Sequence, residues 1–139
     1  MFDNLLNLVK EHAGDAIINN NSIPNEKNDE AIHSTTTSIV NTLKSQVSGG
    51  NLNSVMDMFK SGNTTTVSNS LNTNVAGDLM KKFNLDQSAA NNIVSSLLPN
   101  VMDSFVKKTN DPNDKSFDLK DVMSSLGGSN MLSGLTNLF

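Results

Sequence analysis

Between residues 86 and 108 the apolar side chains Ala89, Ala90, Ile93, Val94, Leu97, Leu98, Val101, Met102, Phe105 and Val106 recur at steps of three and four. A turn of about 3.6 residues gathers them into one wide stripe, which predicts a long helix buried on several sides. Asp86 stands where a carboxylate can cap the first turn, and Lys107 and Lys108 stand where positive charge meets the last carbonyls. Pro99 lies inside this helix, where its ring removes a donor and crowds the carbonyl of Ser95. The stripe keeps its phase across the proline, so the pattern predicts a kink between Ser95 and Pro99 rather than a break. Leu97, at the centre of the stripe, and Phe105 are expected to hold the interior together.

The other apolar repeats are shorter. Phe2, Leu5, Leu6, Val9, Ala13, Ala16 and Ile17 share one helical face, and Gly14 marks where that helix ends or loosens. The run INNNSIPNEKN is turn chemistry, with Pro24 holding Ile23 extended. Ile32, Thr36, Ile39, Val40, Leu43 and Val47 predict a helix over 28–47, stopped by Ser48, Gly49, Gly50 and Asn51. Leu52, Val55, Met56 and Phe59 predict a short helix over 52–60 with Met58 off its buried face. Residues 64–70, rich in Thr, read as a loop, and Val75, Ala76, Leu79, Met80 and Phe83 read as a helix over 73–83. Asp118 is the expected N-cap of a helix carrying Leu119, Val122, Met123 and Leu126, ended by Gly127 and Gly128. A last short helix carries Met131, Leu132, Leu135, Leu138 and Phe139.

The expectation is therefore an all-α, multihelical single domain of six or seven helices packed around a long, Pro-kinked central helix. Its parts are an N-terminal helix and loop over 1–27, a helical core over 28–108 and C-terminal helices over 109–139. Length supports one domain, since 139 residues can bury about two-thirds of their unfolded surface in a single core.

Composition changes this picture little but removes several chemistries. Hydrophobic residues make up 36% and the formal charge is −4, so the remainder is uncharged polar surface rather than the charge excess of a disordered chain. Cysteine is absent, which removes disulfides, thiolate nucleophiles and thiolate metal sites. Every basic residue other than histidine is a lysine, and Trp and Tyr are missing, so a nucleic-acid partner is not expected. The opening MFDNLLNLVKEH has an early acid and no basic stretch, and no apolar run reaches the ~18 residues of a spanning helix. No transmembrane segment is expected, and a cytoplasmic location is.

Reactive constellations are sparse. Asp111, Asn113, Asp114 and Asp118 invite comparison with a calcium loop, but Lys115, Ser116 and Val122 fall where that loop needs an oxygen ligand, a glycine and a bidentate glutamate. A helix-initiating turn is the expected reading. Glu11, His12 and Asp15 can neighbour one another on a helix surface, and His33 lies on another helix. None sits in a metal-ligand spacing, so solvated polar residues are expected. An SxxK match at Ser104–Lys107 lacks its companion motifs. Neither enzyme activity, a cofactor nor a metal is expected. Met56, Met58, Met80, Met102, Met123 and Met131, with Phe59, Phe83, Phe105 and Phe117, are expected to fill the core in place of Trp and Tyr. The alternative is that they line a pocket for an apolar small molecule or lipid.

Three segments, LLNLVKEHAGDAIINNNSIPNE, VAGDLMKKFNLDQSAANNIVSSLLPNVMDSFVKK and FDLKDVMSSLGG, together resemble the bacterial DUF937 family, also called YidB-like. The resemblance implies an all-α fold and a small bacterial cytoplasmic protein, and supplies no catalytic residues. The expected function is a non-enzymatic protein-interaction or self-assembly protein that forms a homo-oligomer or binds a protein partner. Met131, Leu132, Leu135, Leu138 and Phe139 are the candidate interaction residues, because apolar area concentrated at a chain end needs a surface to dock on.

Overall fold

In the computed structural model, residues 2–113 and 117–136 are described, with only the backbone for Thr66 and residues 128–136. Six α-helices follow in order: α1 (Phe2–His12), α2 (Asn28–Ser48), α3 (Leu52–Ser61), α4 (Thr65–Phe83), α5 (Gln87–Thr109) and α6 (Leu119–Thr136). No strand occurs among the described residues, so the chain is an all-α, multihelical domain. Side chains from all six helices join one apolar core.

The long proline-containing helix is present as α5, unbroken through Pro99 over 23 residues. Its start is capped as the sequence implies: Asp86 is extended, and its Oδ1 accepts the backbone N–H of Ala89 at 2.7 Å. Asp86→Ala is expected to cost about 1 kcal/mol, seen as a lower urea midpoint with an unchanged slope. A loss under about 0.3 kcal/mol would mean that the cap contributes nothing measurable.

A second packing centre is α2, which lies against α1, α3, α4 and α6, while α5 lies against α1, α3 and α4. Such enclosure explains why α2 buries hydroxyl side chains along with Ile39 and Leu43. Buried hydroxyls need partners, and Thr35 and Thr36 donate to the carbonyls of Ala31 and Ile32 one turn back, at 2.8 and 2.9 Å.

Several boundaries differ from those the sequence suggests. Residues 65–70 are helical, not a loop. Val67 and Leu71 continue the four-residue step of Val75 and Leu79, and burying both outweighs the strand propensity of the threonines. Asn63 Oδ1 accepts the N–H of Thr65 at 3.2 Å and helps open this helix. Met58 is fully buried rather than off the buried face, because α3 packs on α2, α4 and α5 at once. Gly127 and Gly128 do not end a helix; α6 runs through them to Thr136. Glycine lowers helix propensity by about 1 kcal/mol without forbidding helical backbone. A left-handed residue is one device that does stop a helix, as Gly62 (φ 81°) does after α3 and Asn84 (φ 54°) after α4. The first helix loosens at Gly14 as anticipated. Beyond it the N–H groups of Ile18 and Asn19 reach back five residues to Ala13 and Gly14, at 3.0 and 2.8 Å, forming a π-helical turn that buries Ala16 and Ile17.

Candidate functional site

The candidate interaction residues are only partly visible. Met131, Leu132 and Leu135 lie on the backbone of α6, and Leu138 and Phe139 lie outside the described residues. What the backbone adds is register. At about 100° per residue, positions 119, 122, 123 and 126 share one side of α6, whereas 131, 132 and 135 come round on the opposite side. Val122, Met123 and Leu126 are buried, so that first side faces the core.

Glu11 on α1 and Asp15 in the π-helical turn after it are both exposed, as solvated polar residues would be. His12 behaves differently: its Nε2 lies 3.0 Å from Ser104 Oγ on α5, a cross-helix contact between positions 92 residues apart. A serine beside a histidine is the geometry of an activated nucleophile, yet Ser104 sits mid-helix, where neighbouring backbone N–H groups are committed to the helix. The contact ties α1 to α5. The ring of His33 lies 5.2 Å from that of Phe2, an aromatic contact between α1 and α2.

The acidic segment after α5 is a turn where it is described; Asp114 lies outside the described residues. Asp111 Oδ1 accepts the N–H of Asn113 at 2.9 Å, and Asp118 Oδ1 that of Lys120 at 3.0 Å, so these carboxylates point at backbone. Asn110 anchors the segment by donating to the carbonyl of Phe59 at 2.7 Å. Among the described residues no group of three or more His, Asp or Glu is placed to hold a metal ion.

Most of the methionines and phenylalanines are packing residues. Met58, Phe59, Phe105 and Met123 are fully enclosed, and Phe59, Phe105 and Phe117 form a chain of rings with centroids 5.0 and 5.2 Å apart. Met102 borders a cleft between α4 and α5, and Phe117 and Phe83 each border another hollow.

A feature that reading for apolar stripes passes over is a polar ladder along the α2–α4 seam. Lys82 Nζ donates to Ser34 Oγ at 3.4 Å, Ser38 donates to Asp78, Asn74 donates to Thr42 at 3.1 Å and Gln46 donates to Ser70 at 3.0 Å. Each rung rises four residues on α2 as it descends four on α4, which makes the two helices antiparallel with a fixed register. Ser34, Ser38 and Thr42 are buried beneath it. The signal was present as two polar stripes, 34/38/42/46 and 70/74/78/82, running at the same four-residue step as the apolar ones beside them.

No family model, curated protein or solved structure matches the chain. Among the described residues no helix is long and apolar enough to cross a membrane.

Proposed function

We propose that this chain is a non-enzymatic interaction or self-assembly protein of the bacterial cytoplasm, and that it associates with copies of itself through the distal half of α6. The observation that carries the reading is the change of face along that helix. Val122, Met123 and Leu126 serve the core, while Met131, Leu132 and Leu135 take register positions half a turn away from them. Leaving apolar side chains in water costs roughly 1.5 to 3 kcal/mol each, and a second copy offers the same stripe, the self-complementary match of a two-fold interface. The non-enzymatic part rests on the sequence, in which a nucleophile, a base and an orienting group cannot all be nominated. The placement in the DUF937 family and in the bacterial cytoplasm rests on the resemblance carried by the three quoted segments.

Light scattering and native mass spectrometry on the full chain, beside Leu132→Lys/Leu135→Lys in the full chain, test this. The full chain is expected as a multiple of the 14.9 kDa unit at high micromolar concentration, and the variant as a monomer. A monomeric full chain defeats self-association. An oligomer that survives the lysines places the interface elsewhere.

A further inference from the structure

Helices α4 and α5 follow one another across a three-residue link and pack together, and Pro99 of α5 borders a hollow between them. This hollow is a cleft of about 370 Å³, within the range of small-molecule sites. Its floor is apolar: Leu71, Leu98 and Met102 line it and are buried in the core below. One wall is a polar row at a four-residue step, Thr64 just before α4 and Ser68 and Asn72 on it, and the other carries the Pro99 ring and Asp103 of α5. Among the described lining residues Asp103 alone bears a charge, so the charged group that the cleft itself presents above its apolar base is a carboxylate.

From this we propose that the cleft binds a small organic cation, a primary ammonium on a short apolar body, with the ammonium on Asp103 and the body over Leu71, Leu98 and Met102. Asp103 is available for it. Its partner is Lys107, one turn along the same helix at 3.1 Å, and both side chains are well exposed. An ion pair so open to water holds its partners weakly, and a ligand seated on an apolar floor can replace the lysine. A carboxylate ligand would set like charges together, so fatty acids are rejected; a neutral alcohol keeps the apolar contact and forgoes the charge. The hydroxyls of Thr64 and Ser68 and the amide of Asn72 supply neutral polar contacts that orient the ligand without adding a charge. Self-association plays no part in this inference, since the cleft is formed by α4 and α5 within one chain.

Titration of the 15N-labelled full chain with hexylammonium, hexanol and hexanoate, followed by NMR, reads the site and its sign together. Hexylammonium is expected to move the amides of Ser68, Asn72, Met102 and Asp103, to bind about three- to fivefold tighter than hexanol, and hexanoate to bind weakest. Asp103→Asn is expected to bring hexylammonium down to the level of hexanol and leave hexanol unchanged. Ser68→Phe, which fills the cleft from a half-buried position, is expected to remove binding of both. Shifts elsewhere or nowhere, hexanoate binding as well as hexylammonium, or an unchanged preference in Asp103→Asn would overturn the proposal. Asp103→Asn alters one exposed side chain, so its result decides the question even if Ser68→Phe does not fold.

Discussion

Leu97→Ala is expected to remove about 2 to 5 kcal/mol of folding stability, a large part of what a domain of this size has. Leu97 is fully buried on α5, with Ile93, Val94, Leu98 and Val101 also buried within one turn on either side. Truncation therefore loses the transfer energy of the removed methyl groups and leaves a void lined by side chains on a helix held at both ends, which cannot collapse around it. Urea unfolding of the full chain should show the midpoint falling with the slope unchanged. Leu97→Met conserves volume and should cost less than about 1.5 kcal/mol. A loss below about 1 kcal/mol for alanine would contradict the rigidity attributed to this part of α5.

The helices most legible in the sequence were those whose ends carry their own chemistry. Asp86 caps with its carboxylate, Asp118 accepts from Lys120, and the pair Gly49 and Gly50 follows α2, so these boundaries were readable from residue type. Where an end depends on backbone conformation the sequence is ambiguous. Gly62 adopts the left-handed turn that stops α3, whereas Gly127 continues α6, and nothing local to either glycine distinguishes them. The first turns of α4 were hidden for a different reason. Threonine at 64–66 argues for extended chain, and only the distant partners that bury Val67 and Leu71 decide for helix.

The site features divide along the same line. Contacts within one helix could be anticipated from spacing, but His12 on Ser104 and the rungs from Ser34–Lys82 to Gln46–Ser70 join positions 24 to 92 residues apart. Such contacts require knowing which helices are neighbours. Met58 makes the same point in the core. A wheel drawn for α3 alone leaves it outside, because a wheel assumes one buried side, and α3 has several.

Phe105→Ala is expected to be the most damaging single truncation, at about 3 to 5 kcal/mol, because its ring joins three parts of the chain. It meets Phe59 of α3 edge-on at a centroid distance of 5.0 Å and Phe117, just before α6, at 5.2 Å. The same region carries the bond from Asn110 to the carbonyl of Phe59, so the ring lies beneath the joint that fastens the α5–α6 connection to α3. Removing it leaves a cavity in a fully buried site and strips both neighbouring rings of their contact. Phe105→Leu retains most of the apolar volume and should recover much of the loss, leaving a deficit that reflects ring contacts rather than burial. A double-mutant cycle with Phe59→Leu isolates that part, expected at about 0.5 to 1.5 kcal/mol. Hydrogen exchange adds the spatial readout: protection should fall in α3 and in residues 109–118 more than at the α4–α5 turn, since the ring chain runs toward the former. Equal loss of protection throughout, with a coupling near zero, would show that Phe105 acts as bulk in the core and not as the link between α3, α5 and the approach to α6.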